Sequence, residues 1–237
     1  MNRAAVQKAV AESRLPVKIK EYLSVFAAGG ADSDLRRLLK ADPQRLLADI
    51  SLLIGRAAET LGVPREEALF ATGFDPRNFA PGRLEAALAE LRAAEFLAGE
   101  GFSAIAPVPR ARGKTADLTA KRAGKTYAFE VRCVTGAGFS DALFDPDGRL
   151  NAAGAKAVSL LLKKYRKKMP QAAVSKKKGG FTHCGLVLAA NAQDLSPFTC
   201  SGALKKLAAS VYQKAGSPPR RHICLLAGGK TGVYPAW

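Results

Sequence analysis

The sequence predicts an α/β protein in which a mixed central sheet is flanked by helices and preceded by a small all-helical N-terminal domain. Three observations carry this. Residues 1 to 80 place apolar side chains at helical spacing, a change of pattern near Pro81 introduces short strand-type runs, and the order thereafter reads α-β-β-β-α-β-α-β. The 237 residues, 48% hydrophobic and 24% charged, suffice for a domain of ordinary core size with a smaller companion.

The helical part, residues 1–80, shows its periodicity in Tyr22 to Ala27, Leu35 to Leu39 and Leu46 to Leu61, punctuated by Pro16, Gly29-Gly30, Pro43 and Pro64. Asp42-Pro43 supplies an N-cap and a first helical position, and Gly62 stands where that helix should stop. The second part, residues 81–237, opens with an amphipathic helix over Arg83 to Glu100, closed by Gly101. Strands are expected over Phe102 to Val108, Thr115 to Ala120 and Lys125 to Val134, the last two forming a hairpin about Ala123-Gly124. A helix over Asn151 to Lys168, a strand over Cys184 to Ala190, a helix over Ser201 to Ala215 and a strand over His222 to Ala227 follow. The Lys176 to Gly180 run reads as an exposed loop.

The net charge of +17 is unevenly distributed: residues 151 to 237 hold fifteen Lys or Arg against the single acid Asp194. Such a surface attracts polyanions by release of condensed counterions, which makes nucleic acid the first partner to consider. No apolar run approaches eighteen residues and no signal-peptide layout is seen, so no membrane association is expected and the cytoplasm is the expected location. Cys133, Cys184, Cys200 and Cys224 are widely spaced without a C-x-x-C pair, which points to reduced cysteines.

Chemistry concentrates in the hairpin. Asp117 lies among small and apolar residues, and Glu130 follows Tyr127-Ala128-Phe129 thirteen positions later. A carboxylate inside a buried strand needs a cation or an ion pair, and a single divalent ion would serve both acids. Strand alternation places Glu130 and Arg132 on one face, and the hairpin brings Asp117 beside Glu130. Mg²⁺, with Mn²⁺ as substitute, suits one or two carboxylates plus water and substrate phosphate. The alternative is ordinary ion pairing of Glu130 with Arg132 or Lys121.

The element order, the acid on the second strand and Glu130-Val131-Arg132 on the third resemble the PD-(D/E)XK nuclease superfamily, which includes restriction endonucleases and archaeal Holliday-junction resolvases. The resemblance covers about residues 83 to 227. It implies a restriction-endonuclease-like αβββαβ core and a Mg²⁺-dependent endonuclease acting on DNA. Asp117 and Glu130 would hold the ion, Glu90 on the preceding helix would support them, and double-strand cutting of the restriction type would imply a homodimer. Glu95 competes with Glu90 for the helix role, since both border the Leu84, Leu88, Leu91 and Leu97 face. Two departures stand out: Ala116 precedes the first acid, and Arg132 occupies the place of the motif lysine. Arginine can stabilise charge on a phosphorane but cannot serve as a base. Lys121 is the first candidate for a replacement amine, with Lys114 and Lys156 behind it.

Lys163, Lys164, Arg166, Lys167, Lys168, Lys176, Lys177 and Lys178 are the candidate phosphate-contacting residues, positioning substrate without reading bases. Gly113-Lys114-Thr115 and Gly229-Lys230-Thr231 lack the upstream glycine of a phosphate loop, and His183 and His222 carry no metal motif. Two alternatives to a deoxyribonuclease stay open: an inactive nuclease fold that binds nucleic acid, which Arg132 favours, and a ribonuclease.

Overall fold

The computed structural model describes residues 3–29, 34–109, 116–134, 141–190, 201–227 and 229–237. Its helical layer comprises α1 (Arg3–Glu12), α2 (Val17–Ala28), α3 (Asp34–Ala41), α4 (Pro43–Leu61) and the single turn α5 (Ala68–Ala71). Asp42 caps α4 as the sequence indicates, its carboxylate accepting from the Arg45 amide at 3.1 Å with Pro43 behind it. Gly62 ends the helix at φ +64°, a conformation that glycine adopts without penalty.

The layer is not self-contained, because α6 (Arg83–Gly99) is buried on two sides. Leu84, Ala87, Leu88 and Leu91 join the helical core with Leu23, Leu39, Ile50 and Ile54, whereas Ala89, Ala93, Ala94, Phe96 and Leu97 pack on the sheet. The single apolar face expected of this helix is thus replaced by two.

The sheet runs β1-β2-β3-β4-β5-β6, with β1 (Ser103–Pro107), β2 (Leu118–Arg122), β3 (Lys125–Val134), β4 (His183–Ala190), β5 (Arg221–Ala227) and β6 (Lys230–Tyr234). β3, β4 and β5 are parallel neighbours; β1–β2, β2–β3 and β5–β6 pair antiparallel. Tyr127, Phe129 and Val131 face α6, and alternation turns Glu130 and Val134 toward α7 (Ala152–Lys178) and α8 (Ser201–Ala215) on the other face. Being covered on both faces, β3 and β4 read as nearly continuous apolar runs.

Three elements differ from expectation. α7 continues through Pro170 to Lys178, because Met169, Ala172 and Ser175 prolong its buried stripe and packing outweighs the one amide that proline lacks. Lys176, Lys177 and Lys178 are therefore its last turn rather than a loop. Asp117 lies one residue before β2, still in the ladder: its amide donates to Phe129 O at 2.8 Å and its carbonyl accepts from Val108 N at 2.9 Å. β6 is an additional strand, so the glycine-lysine-threonine sequence at 229–231 turns a hairpin.

Candidate metal and nucleic-acid site

Register sets the site. Leu118 pairs with Phe129, so Asp117 stands opposite Glu130, and both side chains emerge on the α7 face. Asp117 Oδ2 accepts from the Val131 amide at 2.7 Å, a strand donor that the end of β2 would otherwise leave unmatched. This bond holds one carboxylate oxygen against β3.

Glu130 is completely buried, at 0% exposure. Its Oε1 accepts from Arg132 Nη2 at 2.6 Å and lies 3.3 Å from Lys168 Nζ, which reaches across from α7 and also donates to Gln171 Oε1 at 3.2 Å. Glu130 Oε2 is buried with no hydrogen-bond partner. Burial, and then the neighbouring Asp117 carboxylate, push the Glu130 carboxyl up to about 7 against the pull of Arg132 and Lys168. Two oppositely signed demands thus meet on one carboxyl: two cations on one oxygen, and none on the other.

Asp117 and Glu130 are the residues that could hold a divalent ion of the Mg²⁺ type. Two carboxylates face one another, one offers a desolvated oxygen without a donor, and hard cations bind through one or two such groups with water completing the shell. A third carboxylate is not supplied: among the described residues no group of three or more His, Cys, Asp or Glu side chains converges.

The residues singled out in the sequence divide accordingly. Asp117, Glu130 and Arg132 come together. Glu90 does not join them; it is buried on α6, which packs on the opposite face of the sheet. Glu95 lies on that helix too, with its Oε1 buried and unpartnered and its carboxyl pushed up by burial. Lys121 is exposed and pairs with Ser103 and Thr126 near the far end of β2, roughly 13 Å along the strand from Asp117. Lys114 lies outside the described residues, and Lys156 is exposed near the start of α7.

The amine at the site is Lys168, 19% exposed, which sequence reasoning had placed among the phosphate contacts. No spacing announces it: the contact arises only when α7 crosses the sheet. Of the other basic positions, Lys163, Arg166, Lys167, Lys177 and Lys178 are exposed and Lys164 and Lys176 half-buried. α7 covers β3 and β4, while Ala106 and Lys121 stay exposed and Thr119 half-exposed beside it. The result is an uncovered shelf on β1 and β2, bounded by the helix that carries Lys164 and Lys168.

No described helix is long and apolar enough to cross a membrane. Compared with known protein families, curated proteins and solved structures, the chain finds no match.

Proposed function

We propose that this chain is a metal-dependent nuclease of the PD-(D/E)XK type that hydrolyses DNA phosphodiester bonds. One observation carries the reading: a fully buried glutamate, held opposite an aspartate, keeps an oxygen without a partner while a lysine and an arginine converge on its other oxygen. The mixed sheet, with Asp117 just before β2 set opposite Glu130 on β3, supports reading the second part as the restriction-endonuclease-like core that the motif resembles.

Asp117 and Glu130 would hold Mg²⁺, or Mn²⁺ in its place. The bound ion supplies charge neutralisation at the phosphate and a lowered pKa for attached water. Glu130 must be ionised for this role, and Arg132 and Lys168 favour that form. Arg132, whose side chain is 35% exposed, remains charged and is suited to the phosphate oxygens. Lys168 stands in for the motif lysine from a different element: an amine can hold or release a proton, which a guanidinium cannot. The shelf on β1–β2 would seat the backbone, with Lys163, Lys164, Arg166 and Lys167 on α7 contributing phosphate contacts.

A second reading has its own support. Because Glu130 Oε1 is already matched by two cations, the trio can stand as a buried ion network in a protein that binds nucleic acid without cutting it. Manganese binding followed by electron paramagnetic resonance separates the two. The nuclease reading expects a bound-Mn²⁺ signal in wild type that disappears in Asp117→Ala and Glu130→Ala; wild type that leaves Mn²⁺ free in solution supports the binder. RNA as substrate is distinguished by offering both polymers to the same preparation.

A further inference from the structure

A cleft of about 780 Å³ opens between the helical layer and the edge of the sheet where β4 and β5 finish. Helices α4 and α6 form one wall, and the ends of β4 and β5 with the β5–β6 hairpin form the other. α6 and Leu226 belong to the layer that covers one face of the sheet, whereas Asp117 and Glu130 emerge on the opposite face toward α7. The cleft is therefore separate from the acidic pair. Its volume suits an organic ligand rather than a lone ion, and the junction of two layers is a common place for such a pocket.

Opposite charges line this cleft without closing on one another. Arg92 and Glu95, both half-buried, stand one turn apart on α6 and both face the cavity. Among the described residues neither side chain makes a hydrogen bond or an ion pair, and Glu95 Oε1 is buried without a donor. Burial accordingly lowers the Arg92 pKa and raises that of the Glu95 carboxyl. A desolvated guanidinium without an acceptor and a buried carboxylate oxygen without a donor each cost free energy, which a ligand bringing the missing partners would recover.

The rest of the lining divides by chemistry. Leu53, Phe96 and Leu226 are core residues that keep a little surface uncovered, and they give the cavity an apolar wall for a planar ring. At the rim, Arg56 on α4 and Lys230 on β6 are exposed cations contributed by opposite walls. Thr60, one turn beyond Arg56, and Thr231, next to Lys230, add hydroxyls. Such a set holds a phosphate through charge-assisted hydrogen bonds. Asp49 and Glu59, exposed on the α4 wall, are acceptors matched to sugar hydroxyls.

We propose that this cleft binds a nucleoside monophosphate, with the base edge on Arg92 and Glu95 and the phosphate at Arg56 and Lys230. Guanine gives the fullest match: its O6 accepts from a guanidinium, while its N1–H and N2 amino group donate side by side to the two oxygens of a carboxylate. Donors from the base favour the ionised form of Glu95 against the burial that raises its carboxyl. Lying across the sheet from Asp117 and Glu130, the site is independent of metal-dependent cutting.

Isothermal titration calorimetry on the full chain in EDTA tests the site, with GMP as the probe and guanosine, ribose 5-phosphate and inorganic phosphate beside it. GMP should bind at least about tenfold more tightly than ribose 5-phosphate, and Glu95→Gln should weaken GMP by about tenfold or more. The exposed pair Arg56→Gln/Lys230→Gln, which leaves the buried wall intact, should weaken GMP by roughly the same factor and leave guanosine unchanged. Asp117→Ala should bind GMP as wild type does. Absence of GMP binding by wild type overturns the proposal, as does ribose 5-phosphate or inorganic phosphate binding as tightly as GMP. Wild-type GMP affinity in either the Glu95 variant or the exposed pair overturns it too. Loss of GMP binding in Asp117→Ala would put the nucleotide at the acidic pair instead, again overturning it.

Discussion

Replacing Glu130 by glutamine should make the metal-free protein more stable at alkaline pH. The wild-type carboxyl is raised in the folded protein from an ordinary value of 4.5 to about 7. A group raised on folding contributes stability that is complete below its unfolded pKa and is lost as pH rises through the folded one. Between about pH 4 and pH 8 the ionising Glu130 therefore removes about 3 kcal/mol, from 1.36 kcal/mol per unit over the interval between those two values. Glutamine resembles the protonated acid and titrates nowhere, so the difference in stability, variant minus wild type, should grow by that amount over the same range. For a chain of this length that corresponds to a melting-temperature gain of roughly 6 to 12 °C at the alkaline end. Urea unfolding at pH 4, 6 and 8 in EDTA measures it. A difference that stays flat with pH, or shrinks, refutes the claim that Glu130 is held ionised against its surroundings.

Asp117→Asn should abolish cleavage while changing DNA affinity less than about threefold, as a cycle of turnover and binding assays will show; the amide oxygen can still accept from the Val131 amide, so the fold should survive. Lys168→Met should lower kcat at saturating DNA by at least about tenfold with little change in KM, whereas Lys121→Met, on the shelf away from the acids, should leave kcat unaltered; equal losses of kcat in the two would remove Lys168 from the site. Gly232→Ala should destabilise by more than about 2 kcal/mol in denaturant unfolding, since a methyl group there would come within 2.4 Å of the Leu204 backbone carbon.

What could be read in the sequence was what local pattern and hairpin register determine. The turn at Ala123-Gly124, with alternation along Lys125–Val134, was enough to place Asp117 opposite Glu130 and Arg132 on the same face as Glu130. Asp42-Pro43 and Gly62 likewise fixed both ends of α4 through backbone chemistry alone. The rest depended on which layer covers which face. A helical wheel places Glu90 and Glu95 on α6 but cannot say that α6 lies across the sheet from Glu130. Lys168 reaches the site by the crossing of α7, a contact between residues 38 positions apart in sequence with no motif spacing to mark it. Pro170 suggested a helix end because its local penalty is visible in the sequence, whereas the offsetting burial of Met169 and Ala172 is not. β6 is short and half-exposed, and it is defined mainly by its partner β5.

Metal-dependent cutting of DNA through Asp117 and Glu130 is the central claim. Labelled single-stranded, duplex and branched DNA, with RNA alongside, should be incubated with wild type, Asp117→Ala and Glu130→Ala purified identically, with Mg²⁺, Mn²⁺ or EDTA. If the claim holds, wild type cleaves DNA only with the ion, and cleavage is lost in both variants. Cleavage retained by either variant, or nucleic-acid binding by wild type with no cutting under any ion, would contradict it.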